Sequence, residues 1–210
     1  MAKHFQDELC EQFDVSRESL MRLETYVSVL LSWQERINLI GASTVDQVWS
    51  RHIADSLQLR SFFPPGTPQL ADLGSGAGIP GLVIAIATST RVHLYESNGK
   101  KAAFLREAIR QTRATATVHQ IRIEQLHDEV ALPGVQIILA RAFAPLERLI
   151  GYAEPFLKKG AIGLFHKGQD VDAELTAAAK CWKLNYIKHP SIIDSNGVIL
   201  EVKEATRVQY

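Results

Sequence analysis

The 210-residue chain is predicted to fold as an α/β protein built on a mostly parallel sheet of seven strands, with an antiparallel hairpin at its C-terminal end and a helical extension at its N-terminal end. Three observations predict this. Short apolar runs alternate with helix-length segments from residue 69 to residue 182, as in repeated strand–helix–strand units. A glycine-rich turn, Asp72-Leu73-Gly74-Ser75-Gly76-Ala77-Gly78-Ile79-Pro80-Gly81, joins the first apolar run to the first of those helices. Two extended runs at the end are joined by Asp194-Ser195-Asn196-Gly197, a hairpin-type turn.

In order along the chain, residues 5–60 carry a helical pattern. Tyr26, Leu30, Trp33 and Ile37 recur at three- and four-residue spacing, and Gly41 ends that helix. Thr44, with Gln47 three residues on, resembles a capping box for a second helix running to about Leu59. The run Phe63-Pro64-Pro65-Gly66-Thr67-Pro68 is a rigid break, so a helical extension is expected over 1–63 and the main domain over 64–210. Strands are predicted at 69–73, 92–96, 116–119, 135–140 and 161–166, and helices at 80–88, 99–113, 123–130, 146–157 and 171–182. The closing strands fall at 185–193 and 198–207.

Composition narrows the class. Hydrophobic residues make up 46% and charged residues 22%, ordinary for a globular protein whose core needs neither disulfides nor metals. Cys10 and Cys181 lie far apart, form no metal-ligand spacing and read as reduced thiols of a cytoplasmic protein. The polar start lacks a signal-peptide core, and no apolar run reaches a membrane span. Lys+Arg and Asp+Glu both total 23, so the net charge is zero and tight nonspecific nucleic-acid binding is not expected. Two locally basic regions remain: Arg91, Lys100, Lys101, Arg106, Arg110 and Arg113 in one, Lys158, Lys159, Lys167, Lys180 and Lys183 in the other.

The glycine turn predicts a nucleotide-like ligand. Side chains are missing where the backbone must lie against a ligand, and the following helix points its free N–H groups at the same place. Two cofactor classes compete. Gly76, Gly78 and Gly81 match the G-x-G-x-x-G of dinucleotide binding, but in poor register: Gly74 takes the first-glycine place and Ile79 falls where the third should be. An acid two residues before Gly74, followed by Gly74, Gly76 and Gly78, is the pattern typical of S-adenosylmethionine sites, where Asp72 can attract the amino or sulfonium side of the methionine moiety. Glu96, ending the second strand, is placed to accept hydrogen bonds from a ribose diol in either class.

Further stretches fit one family. Arg51-His52-Ile53-Ala54-Asp55-Ser56 precedes the glycine turn, and Glu96-Ser97-Asn98-Gly99-Lys100-Lys101 follows the second strand. Arg122-Ile123-Glu124 follows the third, Ala140-Arg141-Ala142-Phe143-Ala144-Pro145-Leu146 ends the fourth, and His166-Lys167-Gly168 ends the fifth. Together they resemble the bacterial 16S rRNA guanine-N7 methyltransferases of the GidB or RsmG type, from about Trp33 to Val202. The resemblance implies a class I, Rossmann-like methyltransferase fold. It implies S-adenosyl-L-methionine as methyl donor, and guanine N7 in the decoding-site loop of 16S rRNA, free or in the assembling small subunit, as acceptor. It places Gly74 and Ile79 on the cofactor loop, Ile123 and Glu124 on the adenine-contacting pair, and Arg141 beside cofactor and target base.

Such chemistry asks little of the protein. Guanine N7 carries a lone pair and no proton, so no general base is expected, and alignment with exclusion of water carries the reaction. No Ser-His-Asp, Cys-His or metal constellation is visible, in keeping with that. Arg141, at the end of a buried-looking strand, is the main catalytic candidate, for base contact and orientation; the plain alternative is a salt bridge to Glu124 or Asp72. Candidate RNA contacts are Arg51, His52, Lys100, Lys101 and Lys167; for Arg51 the alternative is an exposed four-apart pair with Asp55. A monomer is expected. A methyltransferase acting on another RNA or a small molecule, a nicotinamide-dependent oxidoreductase and a non-catalytic binding module are the alternatives.

Overall fold

Five parallel strands and a C-terminal antiparallel pair make one seven-stranded sheet in the order β3-β2-β1-β4-β5-β7-β6. The strands are β1 (Gln69–Leu73), β2 (Arg91–Tyr95), β3 (Ala116–His119), β4 (Ile137–Arg141), β5 (Ile162–Lys167), β6 (Trp182–Pro190) and β7 (Val198–Arg207). The computed structural model describes residues 2–66, 69–125 and 134–208. The predicted sequence of strands and crossovers is met, with β7 antiparallel to both β5 and β6. Residues 67–68 of the expected break and 126–130 of the expected helix lie outside the described residues; Ile123–Gln125 form a 3-10 turn.

Alternation along the strands sends side chains to two cores. Leu70, Leu94, Ile137, Leu139 and Leu164 face one side, and Ala71, Leu73, Ile138, Ala140 and Phe165 face the other. The second face is covered by α6 (Leu146–Leu157) and α7 (Val171–Ala178), which contribute Leu149, Ile150, Phe156 and Leu175. The first is covered by α4 (Gly81–Thr88) and α5 (Gly99–Thr112), and then by α2 (Arg17–Gln34), whose Leu23, Tyr26 and Leu30 share that core. Strands covered on both faces read as apolar runs, which is why β1 and β4 were legible. The N-terminal helices α1 (Ala2–Phe13) and α2 are therefore tied to the sheet by shared apolar burial. Tyr26 meets Phe104 of α5 at a tilt, and Trp33 meets it edge-on.

The segment 35–62 departs from the expectation. α2 ends at Gln34, and the chain wraps around that side chain: Gln34 Oε1 accepts from Leu39 N (2.8 Å) and Ile40 N (3.0 Å), while Nε2 donates to Ile40 O (3.0 Å). The single helix expected from Thr44 is replaced by a 3-10 turn at Ala42–Gln47, a π turn at Trp49–Ala54, one α turn (α3, Asp55–Leu57) and a 3-10 turn at Gln58–Phe62. Thr44 caps no helix; its hydroxyl donates to Gly41 O (2.8 Å) and bonds His52 Nε2 (2.9 Å). A wider turn at Trp49–Ala54 re-aims successive side chains relative to an α-helix, and here His52, Asp55 and Ser56 are all buried. The expected helix 171–182 stops at Ala178, because Trp182 is taken into β6.

One contact couples the N-terminal helices to the glycine turn: the fully buried Tyr26 hydroxyl donates to Ala77 O (2.6 Å). Tyr26→Phe leaves that carbonyl without its donor in a dry site and is expected to cost ~1–2 kcal/mol, a fall of about 2–8 °C in melting temperature, measured by calorimetry.

Candidate active site

The strand order reverses between β1 and β4, and crevices in open α/β sheets form beyond the carboxyl ends of strands at such a point. The glycine turn leaves β1 there. Gly74, Gly76 and Gly78 all have positive φ (70°, 53° and 81°), a region that L side chains enter at a cost. The surroundings separate their roles. A Cβ on Gly74 would fall within the Phe143 ring, and one on Gly78 would meet Leu82 and Leu105, so these two glycines admit packing neighbours. A Cβ on Gly76 would meet nothing closer than 3.8 Å, so this is where the turn faces open space. Gly81 is missing a side chain for a fourth reason: a Cβ there would stand 2.6 Å from the Asp72 carboxylate, which sits against the start of α4.

Asp72 is buried, and its Oδ2 accepts from Gly81 N (3.2 Å) while Oδ1 has no partner among the described residues. Burial pushes its carboxyl up to about 7, against the lowering effect of the Gly81 N–H and the Ser75 hydroxyl, and the charge of Glu96 adds to the rise. Glu96 Oε2 accepts from Gly76 N (2.9 Å) and Oε1 from Asn98 N (2.7 Å). That arrangement pins the tip of the glycine turn to the end of β2. A cavity of about 310 Å³ opens beside them, lined by Gly74, Gly76, Glu96, Ile121, Ile123 and Phe143, with Lys101 and Glu124 also on its wall. Ile123 is buried, whereas Glu124 is exposed and accepts from the Tyr152 hydroxyl (3.1 Å).

A second cavity, about 640 Å³, lies at the ends of β4 and β5 and includes Asp55, Arg141, His166 and Lys167. The two cavities share Ala142 and Phe143. Arg141 is neither free nor paired with Glu124 or Asp72. Its Nη2 lies 3.2 Å from Asp55 Oδ2 and donates to Arg51 O (2.9 Å), and its Nη1 donates to His52 Nδ1 (3.1 Å). A guanidinium only donates, so His52 must carry its proton on Nε2 and pass a hydrogen bond to Thr44 Oγ1. Burial, then the charges of Arg141 and Arg51, lower His52 to about 4, so it is neutral near pH 7. His166 Nε2 lies 2.9 Å from the Asp55 carbonyl, which only accepts; the proton is again on Nε2, and Nδ1 is left without a partner among the described residues. Burial lowers His166 and Arg141 from their ordinary values.

The structure thus gathers Arg51–Ser56, Ala140–Leu146 and His166–Lys167 at one place, and sets Gly76 and Glu96 on an adjoining cavity, with Asp72 buried where the glycine turn leaves β1. Arg51 pairs with Asp194 (2.9 Å) in the hairpin rather than with Asp55. Lys100 is exposed in the first turn of α5, whose N-terminus is capped by Asn98 Oδ1. Lys167 is inside: its side chain is 7% exposed, and Nζ lies 2.7 Å from Glu174 Oε2 and 3.3 Å from Ala144 O. Ile79 is buried under the turn. Sequence reasoning did not single out Asp55 as the partner of Arg141, nor Phe143 as the wall between the cavities; a buried arginine without an acid nearby in sequence was the available signal for the first. Among the described residues, no group of three or more His, Cys, Asp or Glu side chains is disposed to hold a metal ion, and no helix is long and apolar enough to cross a membrane.

The solved structure of M. jannaschii TYW2 in complex with AdoMet superposes with a TM-score of 0.55 at 12% identity, covering 83% of this chain and 80% of that one. It shares the class I methyltransferase fold. At the sequence level, the ribosomal RNA small subunit methyltransferase G of Paramagnetospirillum magneticum is 47% identical over 201 residues, 96% of each chain. That of Rhodospirillum rubrum is 49% identical over 195 residues, 92% of this chain and 94% of the relative. The GidB family model, described as rRNA small subunit methyltransferase G, matches residues 19–201. That span takes in the residues of both cavities and the buried Arg141 cluster, and the chain belongs to the GidB family of rRNA small subunit methyltransferases.

Proposed function

We propose that the protein transfers a methyl group from S-adenosyl-L-methionine to N7 of a guanosine in the decoding-site loop of 16S rRNA. The observation that carries the donor is the orphaned, buried Oδ1 of Asp72 beside a glycine turn that opens at Gly76. Asp72 supplies an unpartnered acceptor for the ammonium of a methionine moiety, Glu96 keeps lone pairs for a ribose diol, and Ile121 with Ile123 offers an apolar wall to a purine. A dinucleotide fits less well: its pyrophosphate would approach a turn flanked by two carboxylates, Asp72 and Glu96. When bound, the donor supplies an electrophilic methyl on a sulfonium. The chain's own residues hold the acceptor base, align it and exclude water, and no side chain has to remove a proton.

The family relatives are named for small-subunit rRNA, and this supports the acceptor. Arg141, held by Asp55, His52 and the Arg51 carbonyl, lines the larger cavity as a fixed donor for the acceptor base. Residues 1–63 act as an extension of the domain 64–210, because Asp55 and His52 come from that extension and complete the wall on which Arg141 sits. Arg51, Lys100 and Lys101 meet the RNA backbone, and the enzyme works as a monomer in the cytoplasm.

Two measurements follow. Methyl transfer compared on naked 16S rRNA, small subunits and tRNA should place 7-methylguanosine in small-subunit rRNA and none in tRNA; methylation of tRNA alone contradicts the acceptor. Asp72→Asn separates stability from binding. A carboxyl held at about 7 in the fold but near 4 when unfolded favours folding at low pH, and that contribution is lost as pH rises through 7. The ligand-free variant should therefore melt higher than wild type at pH 8, on the order of 5 °C, with the difference vanishing near pH 4. Its affinity for S-adenosylhomocysteine at pH 8, read by calorimetry, should fall about 10-fold or more.

A further inference from the structure

Phe143 lines both cavities. It is one of two residues common to both cavities, and the other, Ala142, is an alanine with φ of 48°. The Phe143 ring lies directly on the backbone of Gly74, in the volume that a Cβ there would take, and Tyr152 is its aromatic neighbour at 5.7 Å between centroids. The backbone that follows Phe143 is held by one ion pair whose lysine is buried. Lys167 Nζ donates to Ala144 O (3.3 Å) and to Glu174 Oε2 (2.7 Å), and the same Glu174 oxygen accepts from Leu146 N (2.7 Å). A lysine only 7% exposed and paired to a single carboxylate oxygen serves the fold poorly by charge alone, since buried pairs barely offset their desolvation. Here it fixes the segment 144–146 immediately after Phe143.

We propose that Phe143 is a catalytic residue whose ring face the acceptor purine and the donor sulfonium share, and that Lys167 and Glu174 are positioning residues that set its place. This rests on the methyltransferase reading and deepens it. The guanine N7 lone pair forms the new bond to the methyl carbon, and the carbon–sulfur bond breaks with its electron pair staying on sulfur. Sulfur ends as a neutral thioether, and the positive charge ends on the purine. No proton moves. A cation therefore stands beside the ring before, during and after transfer. The negative face of an aromatic ring attracts it at every stage without titrating, which a carboxylate or a histidine in the same place would not do. The same face stacks on a base that has left its helix, as RNA-binding aromatics do. Phe143 touches both partners only if the 142–146 segment is rigid, and this is the role left for the Lys167–Glu174 clamp.

The test compares Phe143→Leu, Phe143→Tyr and Lys167→Met/Glu174→Gln with wild type in three readouts: melting temperature, S-adenosylhomocysteine affinity by calorimetry, and single-turnover methyl transfer to small subunits. Leucine keeps the apolar volume and removes the π face. The expected result is a fall in transfer rate of about 10–100-fold for Phe143→Leu, with affinity within about 3-fold of wild type, and recovery to within about 5-fold in Phe143→Tyr. The double variant removes both charges together; its rate should fall while its affinity holds. Full-rate transfer by Phe143→Leu overturns the proposal, as does a loss of affinity that matches the loss of rate. Failure of wild type to methylate small subunits, with S-adenosylhomocysteine still bound, overturns the rRNA reading itself and the proposal with it.

Discussion

The contact between Asp55 and Arg141 is the interaction on which the site depends. It joins an irregular turn near the N-terminus to the end of a central strand, 86 positions apart in sequence, and each partner is held by further bonds: Arg141 by His52 and the Arg51 carbonyl, Asp55 by Gln58 Nε2 (2.6 Å). Two mostly buried charges gain little net stability from each other, because desolvation consumes most of the attraction. What the pair supplies is position. With three fixed partners, the guanidinium is prevented from swinging, and it faces the larger cavity in one orientation.

From this pair the remaining geometry extends outward. The π turn at Trp49–Ala54 brings His52, Asp55 and Ser56 into the interior. Burial keeps His52 neutral, so its Nδ1 accepts from Arg141 and its Nε2–H reaches Thr44. The hairpin β6–β7 closes the same side through Arg51 with Asp194 and through Gln58 Oε1 with Ile192 N (3.1 Å). On the other side of Phe143 a second, independent constraint operates: Asp72 is buried against α4 through Gly81, and Glu96 holds Gly76. The two cavities are thus built from different strands and share Ala142 and Phe143.

Much of this was legible in the sequence, for identifiable reasons. β1 and β4 are buried on both faces and are mostly apolar, β1 broken only by Asp72 after Gln69 and β4 ending on Arg141, so their strands stood out. The glycine turn stood out because alternate glycines mark positive φ or close approach. Glu96 stood out because it directly follows β2, one unit after the turn. The segment 42–62 was misread, since Thr44 and Gln47 mimic a capping box while tertiary bonds to Gly41 and His52 determine the conformation. The partner of Arg141 was out of reach because the local pattern offers Arg51–Asp55 at helical spacing, and only the wider turn separates them. The individual roles of the glycines were equally hidden: a sequence does not say that Gly74 makes room for Phe143 and Gly81 for a carboxylate.

A double-mutant cycle on Asp55 and Arg141 tests the central claim most directly. Asp55→Leu, Arg141→Met and the double variant are compared with wild type by denaturant unfolding and by methyl transfer to small subunits. Each single variant leaves a mostly buried charge uncompensated and should lose ~3–5 kcal/mol of stability. The double variant should recover most of that, with a coupling of at least ~2 kcal/mol, while its transfer activity stays lost. Additive effects within ~0.5 kcal/mol, or a double variant that methylates at the wild-type rate, would contradict the account.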